Sequence, residues 1–136
     1  MSHRLTSINI VNKEHLDDLN HVNNVQYLYW AQEIAKTHWD KIQNLLDQTE
    51  GVWMVRSHEV NYKGGAFLGE SIRIETHVKS VRGPLSMRVV EFYNDKTNQL
   101  LVRSQTQWCY VDLSSRKPVK VPDQVEALFL MESPPF

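Results

Sequence analysis

The alternation of apolar and polar positions changes character within one segment, residues 17–33, which reads DDLNHVNNVQYLYWAQE. Its first half carries side chains that ionise or form hydrogen bonds: Asp17, Asp18, Asn20, His21, Asn23 and Asn24. The second half turns apolar at once, with the run Tyr27, Leu28, Tyr29, Trp30 and Ala31. The pattern predicts a polar loop that leads directly into a largely buried helix, and the rest of the chain is expected to form a sheet around that helix.

The start of this helix is the first candidate for chemistry. Several backbone N–H groups at a helix start have no partner within the helix, and they carry the positive end of the helix dipole. A carboxylate held just before such an end, beside free donors, is suited to the hydrolysis of a carbonyl compound. Asn20 and Asn23 both have a side-chain oxygen that can cap the helix, and the sequence leaves the choice open.

The helix is predicted from about residue 24 to about residue 46, because no Gly or Pro interrupts that stretch. Its apolar residues recur at spacings of three and four, the period of a helix face that packs on a core. That stripe consists of Val25, Leu28, Ala31, Ala35, Trp39, Ile42 and Leu46, and it is widened by Tyr27, Trp30 and Ile34. Only a narrow polar face remains, so we expect the sheet to enclose the helix on most sides.

Five stretches have the pattern of strands: residues 4–12, 52–62, 71–81, 85–93 and 100–112. The third is the clearest, because Ile72 and Ile74 alternate with charged neighbours at the period of two that a sheet with one wet face requires. Turns are predicted at residues 48–51, 82–84, 94–98 and 113–116, and a short helix or coil at 124–131. The order of elements predicts an α+β fold, an antiparallel β-sheet wrapped around one long central α-helix.

Composition narrows the classes of function. A chain of 136 residues suits a single domain over residues 1–136, and 41% hydrophobic with 23% charged residues is ordinary for a globular protein. The net charge of −1 gives no basic footprint for nucleic acid or for a membrane surface. We find no apolar run long enough for a signal peptide or a membrane helix. Because the single cysteine, Cys109, cannot form an internal disulfide, a reducing cytoplasm is the expected location.

The loop and the helix contain a block of residues with a recognisable spacing: Asp17, His21-Val22-Asn23-Asn24, Tyr27, Trp30 and Gln32-Glu33. This block resembles the acyl-CoA thioesterases of the 4-hydroxybenzoyl-CoA thioesterase type, which have the hotdog fold. Weaker pieces downstream fit the same family: residues 59–62, 68–70 and 108–112, with Pro118 and Pro122 beyond. One departure is Asn20, where the family commonly has Gly. Asn tolerates the left-handed backbone conformation better than most residues, so the turn is expected to survive.

The resemblance implies that Asp17 is the catalytic carboxylate and that the backbone N–H of Asn24 receives the thioester oxygen. A thioester carbonyl becomes an oxyanion on attack, and N–H groups at a helix start already point toward it. Asp17 can attack the carbonyl and form a mixed anhydride, or it can take a proton from water, and the sequence does not choose between them. No cofactor is expected, because coenzyme A is part of the substrate.

Other polar residues of the motif have weaker claims. His21 is either a general acid or base, or a structural residue that bonds the loop backbone. Asn23 and Tyr27 are candidate substrate contacts, although a helix cap and a core position are the simpler interpretations. Glu59 is a reserve catalytic acid, since some hotdog thioesterases carry that group on an element other than this loop.

Three further possibilities are not favoured by the sequence: a cysteine nucleophile, a metal site and a site for coenzyme A phosphates. Cys109 lies in a strand pattern, where inert packing is expected. The histidines show no HxxxH or HExxH spacing, so no metal site is expected. The basic residues that could meet coenzyme A phosphates are interpreted as solvated charges on a wet sheet face: Lys63, Lys79, Arg82 and Arg88.

These expectations favour hydrolysis of an acyl-CoA to a free carboxylic acid and coenzyme A. Two alternatives remain open: an acyl carrier protein (ACP) thioester as the substrate, and a non-catalytic hotdog module that binds acyl-CoA. We expect at least a homodimer, with a dimer of dimers left open, because an exposed sheet edge demands cover. The resemblance implies that two hotdogs join into one continuous sheet with the active sites at the seam.

Overall fold

The computed structural model describes residues 2–47 and 51–136. Its elements are β1 (Leu5–Ile10), α1 (Asn24–Gln43), β2 (Gly51–Tyr62), β3 (Ser71–Arg82), β4 (Leu85–Asn94), β5 (Leu100–Asp112) and α2 (Asp123–Leu130), with a 3₁₀ turn at Lys13–His15. All five predicted strands and the long helix are confirmed, and the segment predicted as a short helix or coil is helix α2. Most of the turn predicted at residues 48–51 lies outside the described residues.

The strands form one antiparallel sheet in the order β1-β3-β4-β5-β2, with α1 packed against one face. Alternation along β3 explains which face carries the helix: Ile72, Ile74, Thr76 and Val78 are buried, whereas Arg73 and Glu75 remain partly exposed on the other face. The predicted α+β architecture of an antiparallel sheet with one long helix is therefore confirmed.

The core between helix and sheet has two parts. Around the first half of α1, Tyr27, Trp30 and Ile34 pack with Phe92 and Val102 of the sheet. Around the last turns of α1, the buried residues come from five different elements or loops: Ile42, Val78, Tyr110, Val121, Val125 and Phe129. Helix α2 contributes to this second part, so it closes the end of the core that lies farthest from the start of α1.

Helix α1 is less enclosed than its sequence predicts. Its buried residues are Tyr27, Trp30, Ala31, Ile34, Ala35, His38 and Ile42, whereas Val25 is 53% exposed and Tyr29 is 59% exposed. The prediction of enclosure on most sides is wrong for a single protomer, because one sheet contacts only one side of a helix. The helix also ends at Gln43 rather than near residue 46, because the amides of Leu45 and Leu46 form shorter-range bonds to Ile42 and Gln43.

Strand β2 is an unpaired edge of the sheet. It pairs only with β5, with an irregularity between Val55 and Ser57, and its other side has no strand beside it among the described residues. Large apolar side chains are exposed along this edge, including Val52 at 39% and Met54 at 56%. An edge of this length and composition is a surface that folded proteins normally cover.

Candidate active site

The loop before α1 is a closed turn held by backbone hydrogen bonds. An antiparallel bridge joins Leu16 to Val22, and the Asp17 N–H donates to the carbonyl oxygen of His21 at 2.8 Å. Asn20 adopts the left-handed conformation with φ of 62°, as its replacement of Gly predicted, and its N–H donates to the Asp17 carbonyl at 3.1 Å. The turn therefore fixes Asp17 just before the start of the helix.

The Asp17 carboxylate is half-buried and oriented by the loop. Its Oδ1 accepts hydrogen bonds from the N–H groups of Leu19 at 2.9 Å and His21 at 3.2 Å. Its Oδ2 accepts no hydrogen bond from any residue that the structure describes. One oxygen thus anchors the side chain to the loop, and the other is left for a proton or a carbonyl carbon.

The start of α1 is capped by Asn23, which decides between the two predicted caps. Asn23 Oδ1 accepts from the Val25 N–H at 2.9 Å, and the Asn23 carbonyl accepts from the Gln26 N–H at 2.9 Å. The first helical residue, Asn24, has an N–H that makes no hydrogen bond within residues 2–47 and 51–136, as expected at this position. An unpaired donor therefore stands at the positive end of the helix dipole.

Tyr62 contacts this helix start, which the sequence motif did not predict. The Tyr62 hydroxyl donates to the carbonyl oxygen of Asn24 at 3.2 Å, so the end of edge strand β2 is joined to the first residue of α1. Tyr27 lies below it, with ring centroids 6.1 Å apart. Because burial raises the pKa of Tyr27 to about 12, this buried phenol stays neutral. Its simple interpretation as a core residue fits this position.

His21 and Glu59 occupy different places relative to Asp17. His21 belongs to the same turn, and its ring packs edge-on to Phe67 with centroids 5.1 Å apart. Glu59 is exposed on β2, where Val60 packs on the core and Tyr62 reaches the helix. Alternation along the strand directs Glu59 to the opposite face of the sheet, so one protomer does not bring it together with Asp17.

Arg88 is the clearest difference between the sequence and the structure. It was expected on a wet face, but only 4% of it is exposed, and it lies beneath α1 on strand β4. The expectation was wrong because Arg88 alternates in phase with Val90 and Phe92, whose side chains face the helix. The phase is present in the sequence, where the charge of Arg88 on its own favours an exposed position.

The described part of the chain contains neither a cluster of metal-ligating side chains nor a membrane-spanning helix. No group of three or more His, Cys, Asp or Glu residues there is placed to hold a metal ion. No helix within residues 2–47 and 51–136 is long and apolar enough to cross a membrane.

The chain matches a known protein family over most of its length. The family model of the acyl-ACP thioesterase N-terminal domain matches residues 10–129. The chain belongs to this family. It is a thioesterase. No curated protein sequence matches the chain.

Solved structures agree with this thioesterase in fold. Slr0204, a 1,4-dihydroxy-2-naphthoyl-CoA thioesterase from Synechocystis, is 17% identical, with a TM-score of 0.78 over 91% of this chain and 93% of that one. The probable thioesterase YbaW from Escherichia coli is 20% identical, with a TM-score of 0.77 over 88% and 92%. The 12:0-ACP thioesterase from Umbellularia californica is 16% identical, with a TM-score of 0.78 over 91% of this chain and 52% of that one. The hotdog fold is confirmed, whereas the 4-hydroxybenzoyl-CoA type is not specifically supported.

Proposed function

We propose that this thioesterase hydrolyses an acyl-CoA to a free carboxylic acid and coenzyme A, and that the loop before α1 is the catalytic site. One observation carries the proposal. The Asp17 carboxylate is anchored through one oxygen and free at the other, in the turn that leads into a helix whose first N–H, on Asn24, is unpaired. Thioester hydrolysis needs this combination of a base or nucleophile and an oxyanion donor.

In the proposed reaction the thioester carbonyl oxygen accepts a hydrogen bond from the Asn24 N–H. Attack on the carbonyl carbon places a full charge on that oxygen, and the N–H together with the helix dipole stabilises the charge as it develops. Asp17 Oδ2 takes a proton from the attacking water, or attacks the carbon itself and forms a mixed anhydride that water then opens. In both routes the thiolate of coenzyme A leaves and takes up a proton.

The carrier of the acyl group separates the first proposal from its main alternative. The family model and the Umbellularia structure are those of acyl-ACP thioesterases, which favours an acyl carrier protein substrate. Two other structures favour coenzyme A. The Synechocystis structure is that of a CoA thioesterase. SAV2348 from Staphylococcus aureus was solved with CoA bound, and it is 11% identical, with a TM-score of 0.76 over 92% of this chain and 80% of that one. We favour acyl-CoA, because the chain covers 93% of the Synechocystis CoA thioesterase but only 52% of the Umbellularia ACP thioesterase.

The first test is a matched assay of the two carriers. The same acyl groups are presented on coenzyme A and on acyl carrier protein, and release of free thiol is followed over a range of chain lengths. We expect kcat/KM to be at least about tenfold higher for acyl-CoA with the best acyl group. A reversed ratio would select the carrier protein alternative, and thiol release from neither carrier would favour the non-catalytic module.

We further propose that two copies of the chain pair through strand β2. This edge is unpaired and exposes apolar side chains, and the neighbouring residues Val25 and Tyr29 of α1 are exposed as well. Pairing of two β2 edges about a two-fold axis would cover all of these surfaces and continue the sheet. Because Tyr62 links β2 to Asn24, the proposed active site would then lie beside the seam.

The dimer is tested by a matched pair of substitutions. Met54 on β2 and Ile8 on β1 are both 56% exposed and lie on opposite edges of the sheet. We expect Met54→Asp to weaken dimerisation roughly tenfold or more, because it places two like charges at the seam, and Ile8→Asp to leave it unchanged. Analytical ultracentrifugation at micromolar protein measures both. A monomeric unmodified chain, or equal effects of the two substitutions, would contradict pairing through β2.

A further inference from the structure

A cavity away from the candidate active site has a volume of about 340 Å³, within the range of small-molecule sites. It lies between the second half of α1, strands β2, β4 and β5, and helix α2. Its walls are mostly apolar and aromatic, with Ala35, Trp39, Trp53, Trp108 and Phe129 among the lining residues. Arg88 also lines this cavity, and it brings a positive charge to a largely apolar wall.

One terminal nitrogen of the Arg88 guanidinium is fully hydrogen-bonded within the protein. Its Nη1 donates to Nδ1 of His38 at 2.9 Å and to Oγ1 of Thr76 at 3.0 Å, which occupies both hydrogens of that nitrogen. No residue within 2–47 and 51–136 accepts a hydrogen bond from the Nε or Nη2 groups. These two nitrogens form the fork that binds a carboxylate through two parallel hydrogen bonds.

The partners of Arg88 hold it in place and leave its charge uncompensated. Arginine only donates, so His38 Nδ1 must accept, and the 2.8 Å contact between the Nε2 atoms then runs from His38 to His3. Nδ1 of His3 in turn donates to the carbonyl of Met131 at 3.2 Å. Both rings are therefore neutral. Burial and the neighbouring charge of Arg88 lower the pKa of His38 to about 2, which agrees with this assignment.

Arg88 nevertheless remains a cation at neutral pH. Burial lowers its pKa to about 9, so the protonated form predominates below that value. No carboxylate within the described ranges pairs with it. The guanidinium carbon lies 5.6 Å from the centroid of the Phe129 ring, and this cation–π contact offers some stabilisation. A buried charge is normally paired, because burial without a counter-charge is costly. The missing partner is therefore expected to come from a ligand.

We propose that this cavity receives the acyl group of the substrate, and that the free fork of Arg88 selects an acyl group with a carboxylate at its far end. The inference rests on the proposed acyl-thioester hydrolysis and adds the substrate class, a dicarboxylic acid monothioester. The first helical residue lining the cavity is Gln32, which lies eight residues after Asn24, or roughly 12 Å along the helix axis. An extended acyl group spans such a distance between its reacting carbonyl and its far end.

The test compares acyl-CoAs of equal chain length that end in a methyl group or in a carboxylate and are long enough to cover this distance, namely decanoyl-CoA with sebacoyl-CoA and dodecanoyl-CoA with dodecanedioyl-CoA. We expect kcat/KM to favour the carboxylate at least about tenfold for one pair. Arg88→Met should lower that ratio by about the same factor, since it keeps the length of the side chain and removes the fork. Arg82→Met, the same change at an exposed position of β3, should leave the ratio unchanged.

The outcomes separate this inference from the proposed function. Hydrolysis without preference for the carboxylate, or with a preference that survives Arg88→Met, overturns the inference and leaves the thioesterase proposal standing. If no CoA thioester is hydrolysed, calorimetry measures the binding of the corresponding non-hydrolysable thioethers. Equal affinity for the methyl-ended and the carboxylate-ended thioether overturns the inference. If Arg88→Met does not fold, the same pair of thioethers is compared on the unmodified protein and on Arg88→Lys, which keeps the charge and loses the fork.

Discussion

Asp17→Asn is expected to lower turnover by roughly a hundredfold or more while the protein stays folded. The asparagine keeps the Oδ1 acceptor for the N–H groups of Leu19 and His21, so the turn before α1 should persist. What is lost is the carboxylate oxygen that takes a proton from water or attacks the carbonyl carbon. Substrate affinity should change little, because most of coenzyme A lies away from the reacting carbonyl.

Asp18→Asn is the matched control for this experiment. Asp18 is the adjacent residue and is exposed, so its loss should alter turnover only mildly. Turnover on the best substrate and the melting temperature are measured for both variants. Near-normal turnover of Asp17→Asn would remove it from the mechanism. Glu59 would then be tested next, and since it lies on the other face of the sheet, it would require a site formed with another chain.

Asn24→Pro should remove the oxyanion donor without breaking the helix. Proline is well tolerated at the first helical position, where the lost N–H has no partner within the helix. The preceding residue, Asn23, has φ of −60° and ψ of 136°, an extended conformation compatible with a following proline. Loss of one such donor typically costs about 10² to 10³ in kcat.

The control here is Asn24→Ala, which keeps the backbone N–H and removes only the side chain. We expect it to retain turnover close to that of the unmodified protein, while circular dichroism shows comparable helix content for both variants. Equal loss of turnover in Asn24→Ala and Asn24→Pro would assign the role to the side chain. Full activity of Asn24→Pro would contradict an oxyanion site at this N–H.

Much of the fold could be predicted because local signals agreed with one another. Strand β3 alternates cleanly, and the limits of β5 were predicted as observed, since the turns predicted at residues 94–98 and 113–116 border it. The phase of the helix stripe was less predictable. Val25 has the correct spacing, yet it is exposed, because the sheet meets α1 on the side of Tyr27, Trp30 and Ile34. Spacing along a helix does not specify how much of its circumference a sheet covers.

The candidate site was predictable only where the motif is local. The turn from Asp17 to Asn24 is a short continuous segment, so its chemistry could be inferred from spacing. The Tyr62 contact joins residues 38 apart in the sequence, and the contact between Arg88 and His38 joins residues 50 apart. Such pairs depend on strand register and on the seating of the helix, for which a single sequence contains no direct signal.

The Tyr62 hydroxyl links two equilibria that would otherwise be separate. It holds the carbonyl of the same residue whose N–H is the proposed oxyanion donor, and it belongs to the edge strand that is proposed to pair. Suppose that two copies assemble through that edge and that assembly strengthens substrate binding at the helix start. Bound substrate must then strengthen assembly by the same free energy. The reciprocity is thermodynamic and does not depend on the route of the coupling. Dilution would then lower the activity of this protein, and bound substrate would promote its assembly.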